Sequence, residues 1–305
     1  MTEATVAVGI DVGGTKVLAL ALTASGDSLE PVGQCRVPTP DSGDGLIEAI
    51  TTAARDAAAD AGAAISALAT GVPGLVDDHG VMRFAANLPA VRELPLRELL
   101  HARFDVPVAV DNDANAAAWG ERVAGAGEGA DHMLMVTLGT GVGGGIVLDG
   151  HLYRGAHGMA GEIGHFVVKL DGEACSCGQH GCWERYASGT ALGRIAKEAG
   201  FESGEAVVSA AGSRDAGALD VLDTFTRWVA IGLAGLANTL DPALIVIGGG
   251  LVEVGDLLLA PLRRHFGELI EGGEHRPEVP IRPAKLGEQA GAIGAALIAR
   301  ELVQK

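Results

Sequence analysis

Apolar runs punctuated by glycine alternate along the chain with stretches of helical period. Val6 to Ile10 carries no polar side chain and predicts a buried strand. Beyond the pair Gly13-Gly14, Lys16 to Leu22 puts Leu18, Leu20 and Leu22 on one face, so the two segments together predict a hairpin. Gly45 to Ala61 has the spacing of an amphipathic helix, with Leu46, Ile50, Ala53 and Ala57 on its inner stripe. Strands are predicted around Ser66 to Gly71 and Val106 to Val110. Asp111 to Asp113 then offers caps for an alanine-rich helix running to about Val123.

The second half begins in the same way. Met133 to Leu138 is an apolar strand, a glycine-rich turn follows, and Gly145 to Leu148 returns. Two strand–glycine turn–strand units about 125 residues apart suggest two halves on related plans with a cleft between them. A long helix is predicted at Val221 to Leu240, a buried strand at Leu244 to Ile247, and helices at Leu257 to Ile270 and Glu288 to Leu302. Glu202 to Asp215 and Glu271 to Pro280 read as surface loops. The alternation of strands and helices is that of an α/β protein.

Charge narrows the partners. With 22 basic against 39 acidic side chains and a formal net charge of −17, the chain would repel a phosphate backbone, which argues against nucleic-acid binding. No membrane span is expected: the longest uncharged run, Met133 to Leu148, is broken by five glycines and two threonines. The first ten residues contain Glu3 and no basic side chain, so no secretory leader is predicted and a cytoplasmic location is expected. Glycine stands out at 46 of 305 residues, roughly double its usual share, without the period of collagen and with only 12 prolines. The glycines gather at strand ends, where a backbone turns tightly or comes close to a ligand.

Three glycine turns are candidates for that role. In Asp11-Val12-Gly13-Gly14-Thr15-Lys16 the backbone N–H groups of a hairpin tip can converge on an anion, Thr15 adds a hydroxyl and Lys16 a cation, and Asp11 could hold Mg²⁺ through water. An ordinary hairpin turn is the plainer reading, and the Walker A spacing is absent. The second turn, Leu138-Gly139-Thr140-Gly141-Val142-Gly143-Gly144-Gly145, precedes a strand rather than a helix, which disfavours a dinucleotide fingerprint. Two phosphate-type hairpins could grip one triphosphate. The third run, Gly248-Gly249-Gly250, follows a buried strand and could admit a flat ring against the backbone. Separately, Cys175, Cys177 and Cys182 fall within eight residues, a clustering that favours zinc thiolates in a reducing compartment. Spacing leaves His165 and His180 as alternative fourth ligands, and either set would make a closed, structural site. Cys35 reads as a small core residue.

The most specific string is Gly155-Ala156-His157-Gly158-Met159-Ala160-Gly161-Glu162-Ile163-Gly164-His165, followed by Cys175-Ser176-Cys177-Gly178-Gln179-His180-Gly181-Cys182-Trp183-Glu184. On these motifs the sequence resembles the ROK family of repressors and sugar kinases, specifically its bacterial glucokinases, over essentially the whole chain. The resemblance implies an α/β, actin-like and hexokinase-like (ribonuclease H-like) fold of two domains closing over a sugar and ATP. Residues 1–111 with 289–305 would form the smaller domain and 112–288 the larger. It implies that Asp11, Gly13, Gly14, Thr15 and Lys16, with Thr140 and Gly141, hold the phosphates of ATP and its Mg²⁺, and that Gly248, Gly249 and Gly250 hold the adenosine. His165, Cys175, Cys177 and Cys182 would bind a structural Zn²⁺, leaving His180 a solvated loop residue.

The resemblance also implies Asp113 as the general base. That fits the chemistry, since phosphoryl transfer needs a carboxylate near the attacking hydroxyl. Helix capping is the competing use of this run, and Asp111 or Asn112 could serve it equally well. Sugar hydroxyls need fixed carboxylates and amides, and by resemblance these are Gly74, Asn87, Asn112, Asp113, Glu162, His165 and Glu184. Glu162 and Glu184 flank the cysteine cluster, so a zinc clip would fix both sugar-binding segments. One departure stands out: many of these glucokinases carry an aromatic residue near the proline after Asn87, where this chain has Leu88-Pro89-Ala90-Val91.

The expected reaction is phosphorylation of D-glucose at its 6-hydroxyl by ATP, with a homodimer or homotetramer as the working unit. Alternatives are another hexose (N-acetylmannosamine, mannose or fructose), polyphosphate as donor, or a sugar-responsive repressor. The last would carry a helix-turn-helix module, for which the first strand at about Thr5 leaves no room.

Overall fold

The structure, a computed structural model, describes residues 4–26, 28–85, 88 and 90–304. In chain order it runs β1 (Thr5–Val12), β2 (Lys16–Thr23), β3 (Gly33–Pro38), α1 (Gly43–Asp60), β4 (Ala64–Val72), β5 (Leu75–Val76), β6 (Met82–Phe84) and β7 (Arg92–Leu94). Next come α2 (Leu96–Phe104), β8 (Val108–Asn112), α3 (Asp113–Ala124), β9 (Met133–Leu138), β10 (Val142–Leu148) and β11 (His151–Leu152). The remainder is α4 (Glu184–Ala187), α5 (Gly189–Glu198), α6 (Gly204–Gly212), α7 (Ala216–Leu240), β12 (Leu244–Gly248), α8 (Asp256–Leu269), β13 (Ile281–Pro283) and α9 (Ala290–Gln304). The chain forms two compact units. One holds the residues up to 129, 145–161 and those from 285 onward; the other holds 130–144 and 162–284.

The first unit is built on a five-stranded sheet in the order β3-β2-β1-β4-β8. β1 and β2 are the expected antiparallel hairpin, from Val6↔Thr23 to Val12↔Val17, while β4 and β8 run parallel to β1. One face of the sheet is large and aliphatic: Val8, Ile10, Leu68 and Val72 pack on Leu46 and Ile50 of α1 and Leu96 and Leu100 of α2. The other is alanine on β1 and β4, with Ala7, Ala67 and Ala69 against Ala116 of α3 and Ala295 and Ala299 of α9, and leucine on β2, with Leu18, Leu20 and Leu22 against Ala292, Ala296 and Leu297 of α9. Side chains as small as alanine let two helices lie close on the strands, so van der Waals contact replaces bulk. A buried carboxylate closes this layer. Glu121 of α3 accepts from the backbone N–H groups of Ala126 (2.7 Å), Lys285 (2.9 Å) and Leu286 (2.7 Å). Three amides replace the water lost on burial.

In the second unit β9, β12 and β13 are parallel neighbours, with registers Leu244↔Met133 to Gly248↔Thr137 and Ile245↔Ile281. Every residue of β12 is buried, which explains why its sequence is an unbroken apolar run. The long helix α7 packs on α8 and carries the anchor for the cysteine segment. Trp183 is fully buried, donates its Nε1–H to Trp228 O (2.8 Å), and lies against Gly232, where a Cβ would overlap the indole ring.

The structure corrects the reading of 202–215 as a loop. Residues Gly204–Gly212 are a helix capped by Ser203, whose Oγ accepts from Ala206 N (3.2 Å), and it buries Val207 and Ala211 one turn apart. Its buried positions, a valine and an alanine, cover a single turn, too short a run for the helical period to repeat. β8 begins two residues later than the apolar run suggested, so its last residue is Asn112 and the helix starts at Asp113. Among the described residues no helix is long and apolar enough to cross a membrane.

Candidate active site

In the first unit the strand register assembles one end of the sheet. Asp11 of β1 pairs with Gly71 of β4, and Gly71 pairs with Asp111 of β8, so the three stand in a row. Just beyond Asp11 the glycine turn is closed by Gly13 N donating to Lys16 O (2.9 Å) and fixed by Thr39 Oγ1 donating to Gly13 O (2.7 Å). Gly14 and Thr15 are exposed at its tip. Lys16 is not a free cation: its Nζ ion-pairs with Glu288, which also accepts from Arg36 Nη2 (2.7 Å). The hydrogen bonds from Lys16 and Arg36 hold the exposed Glu288 carboxyl down at about 2.

Beyond Asp111, the capping question resolves in favour of Asn112. Its Oδ1 accepts from Ala114 N (2.8 Å) and Asn115 N (3.2 Å), and its Nδ2 donates to Gly74 O (3.1 Å). One amide hydrogen of Asn112 is therefore left for another acceptor. Asp113, half-buried at the first position of α3, accepts from Ala114 N (2.8 Å) and keeps lone pairs for a ligand. Burial raises its carboxyl above the usual range. Asp11 is raised to about 7, first by burial and then by the charge of Asp113, with Lys16 pulling the other way. Two half-buried carboxyls within electrostatic reach of each other hold a proton or invite a cation, so the chemistry of this pair suits a divalent metal on Asp11.

One participant escaped sequence reasoning. Arg154 Nε donates to Asp111 Oδ2 (2.6 Å), while Asp111 Oδ1 accepts from Asn112 N (2.8 Å) and Asn115 Nδ2 (2.9 Å). The glycine-rich motif after Arg154 is tethered again where Asp78 N donates to His157 O (3.2 Å). The only signal in the sequence is that an arginine immediately precedes Gly155.

In the second unit His165, Cys175, Cys177 and Cys182 bring their ligand atoms within 4.8 Å of one another. His165 Nδ1 lies 3.6 Å from Cys175 Sγ, and Cys177 Sγ 3.6 Å from Cys182 Sγ. A tetrahedron of thiolates about 2.3 Å from zinc has edges of about 3.8 Å, so the residues fit that ion. Burial and the neighbouring thiols push Cys182 up to about 12, while Cys177 is lowered, against its own burial, by hydrogen bonds from the Gln179 backbone and the same thiols. His180 is exposed and outside the cluster. The other ring nitrogen of His165, Nε2, faces Glu162 Oε2 at 3.9 Å, so this ring stands between the cluster and one of the expected sugar ligands.

Glu184, the other flanking acid, reaches the second glycine turn, where its Oε2 accepts from Val142 N (3.1 Å). The third glycine run lies beside that turn: Gly248 pairs with Thr137, and Gly249, at φ +82°, abuts Leu138. Gly248 is buried, Gly250 exposed, and Thr140 exposed at the tip of the second turn. Asn87 lies outside the described residues.

The chain matches the ROK family over residues 7–302. It is 39% identical to a glucokinase of Streptomyces coelicolor across 96% of this chain and 97% of that protein. A glucokinase of Halalkalibacterium halodurans is 40% identical across 96% of this chain and 94% of that protein. Among solved structures, a ROK family glucokinase of Streptomyces griseus in complex with glucose and AMPPNP superposes with a TM-score of 0.86 at 39% identity, covering 97% of this chain and 99% of that one.

Proposed function

Since the chain belongs to the ROK family, we propose that it is a glucokinase, transferring the γ-phosphoryl group of ATP to the 6-hydroxyl of D-glucose to give glucose 6-phosphate and ADP. The observation that carries the mechanism is Asp113, a half-buried carboxylate relieved of capping by Asn112 and standing beside the first glycine turn. Its Oδ takes the proton of the 6-hydroxyl as that oxygen attacks the γ-phosphorus, and the bond from γ-phosphorus to the bridging oxygen of ADP breaks. A carboxyl lifted by burial suits a base that must accept a proton near neutral pH.

Asn87, Asn112, Glu162, His165 and Glu184 hold the sugar hydroxyls, with the backbone at Gly74 beside them. The turns at Gly13-Gly14-Thr15-Lys16 and Thr140-Gly141 hold the phosphates, and Gly248 to Gly250 the adenosine. Asp11 would hold Mg²⁺, which would supply charge neutralisation during transfer. The raised carboxyl of Asp11 supports this assignment, because a cation there offsets the cost of its ionisation. His165, Cys175, Cys177 and Cys182 hold Zn²⁺, which supplies no chemistry but fixes the loop between the two glutamates. Three thiolates that must stay reduced fit a cytoplasmic location. A homodimer or homotetramer is the expected assembly; Leu170, 87% exposed beside the half-exposed Val167, is a candidate contact.

A coupled assay across glucose, mannose, fructose and N-acetylmannosamine, each with ATP and with polyphosphate, tests the reaction. Glucose with ATP should give the highest kcat/KM. A higher value for another hexose or for polyphosphate would replace the assignment.

A further inference from the structure

We propose that the cysteine loop braces the second glycine turn through Glu184, so that filling the metal site sharpens the grip on the nucleotide phosphates as well as on the sugar. The proposal rests on reading that turn as a phosphate-binding element. One carboxylate spans the two features. Oε2 of Glu184 accepts from Val142 N (3.1 Å), and Oε1 lies 3.9 Å from Cys175 Sγ. The turn is shaped to receive it, since a Cβ at Gly141 would overlap Oε2.

The residues after Glu184 extend the seat. Gly189 N donates to Gly139 O (2.7 Å), and Thr190 Oγ1 donates to Thr140 O (2.8 Å). Three consecutive stretches of the turn are thus held by one segment, 184–190, which begins two residues after Cys182. Because each peptide is a rigid plane, fixing these carbonyls also fixes the amides on their far sides. Amides aimed in advance bind an anion without the cost of ordering them.

Trp183 makes the segment stiff at its root: the indole is fully buried, bonded to Trp228 O, and its ring centroid lies 5.5 Å from that of Phe166. The cysteine side of the brace is a loop tied to itself by short-range backbone bonds, among them Cys175 N to Gln179 O (2.8 Å), Gly181 N to Glu173 O (2.8 Å) and Val168 N to Gly181 O (2.9 Å). A metal held by Cys175 and Cys182 would join the residue beside the Glu184 carboxyl to the one two positions before it in the chain, and so fix where Glu184 stands.

The test uses the full chain, zinc-loaded and chelator-stripped, with hydrogen exchange of residues 139–145 and separate KM values for ATP and glucose. Stripping zinc should speed exchange of 139–145. Thr190→Val, which touches neither a cysteine nor a sugar ligand, should raise the KM for ATP about threefold to tenfold while the KM for glucose stays within about twofold. Glu184→Gln should retain zinc but uncouple exchange of the turn from zinc removal. Turn exchange indifferent to zinc, or Thr190→Val raising the KM for glucose alone, would overturn the brace. A separate arm checks the underlying reading: Mg²⁺ with AMP-PNP should slow exchange of 139–145 in the zinc-loaded protein. If it does not, the turn is no phosphate site, whatever zinc does to it.

Discussion

At the scale of single residues, two carboxyls with raised pKa values do different work. Asp113→Asn keeps the size and most hydrogen bonds of the side chain but removes its ability to take a proton. Its kcat should fall by about 10²- to 10⁴-fold with glucose affinity nearly unchanged, and steady-state kinetics with a calorimetric glucose titration read both; near-normal turnover would reject the base assignment. Asp11 is a question of linkage. Its carboxyl is raised from 3.8 to about 7, so between those values the folded chain keeps a proton that the unfolded chain has released. Stability from this group is therefore greatest at acid pH and is lost as pH rises through about 7. Asp11→Asn should show a smaller drop in urea midpoint from pH ~5 to ~7.5 than the wild type, and added Mg²⁺ with nucleotide should restore the wild type at the upper end. Parallel pH profiles for the two proteins would dismiss the shift.

Elements reveal how much the sequence could say. The β1–β2 hairpin, the α1 stripe and β12 were legible because each is written in a local period of apolar residues. The cysteine motif was legible because its donors are packed into a short stretch of unusual residue types. Helix α6 was not, because its buried stripe covers only a single turn. Arg154, Glu288 and Glu121 were also hidden: their partners lie 43, 272 and 164 residues away, and no local pattern marks a charge whose purpose is remote. Equally unmarked is one of the passages from one unit to the other, between residues 144 and 145, within β10. A boundary that falls inside a strand changes neither composition nor period. The cysteine loop offers its own check at this scale. Cys177→Ser should lose bound zinc, by metal analysis, together with sugar phosphorylation, while the fully buried Trp183 keeps α7 and the rest of the unit folded by circular dichroism. Undiminished zinc would remove Cys177 from the ligand set.

For the whole molecule, the position of α9 has a consequence for how the protein comes into being. Helix α9 covers the alanines of β1 and β4 and the leucines of β2, and its approach is secured by the amides of Lys285 and Leu286 on Glu121. A chain stopped after residue 284 should therefore expose the small-residue face of β1 and β4 and leave the Glu121 carboxylate buried without two of its donors. Recovery in the insoluble fraction is the expected result, and a monodisperse product with native circular dichroism would contradict it. In the cell the same geometry imposes an order of events. The earliest strands emerge from the ribosome long before the helix that must cover them, and until that helix arrives a chaperone has a greasy sheet of alanine and leucine to guard.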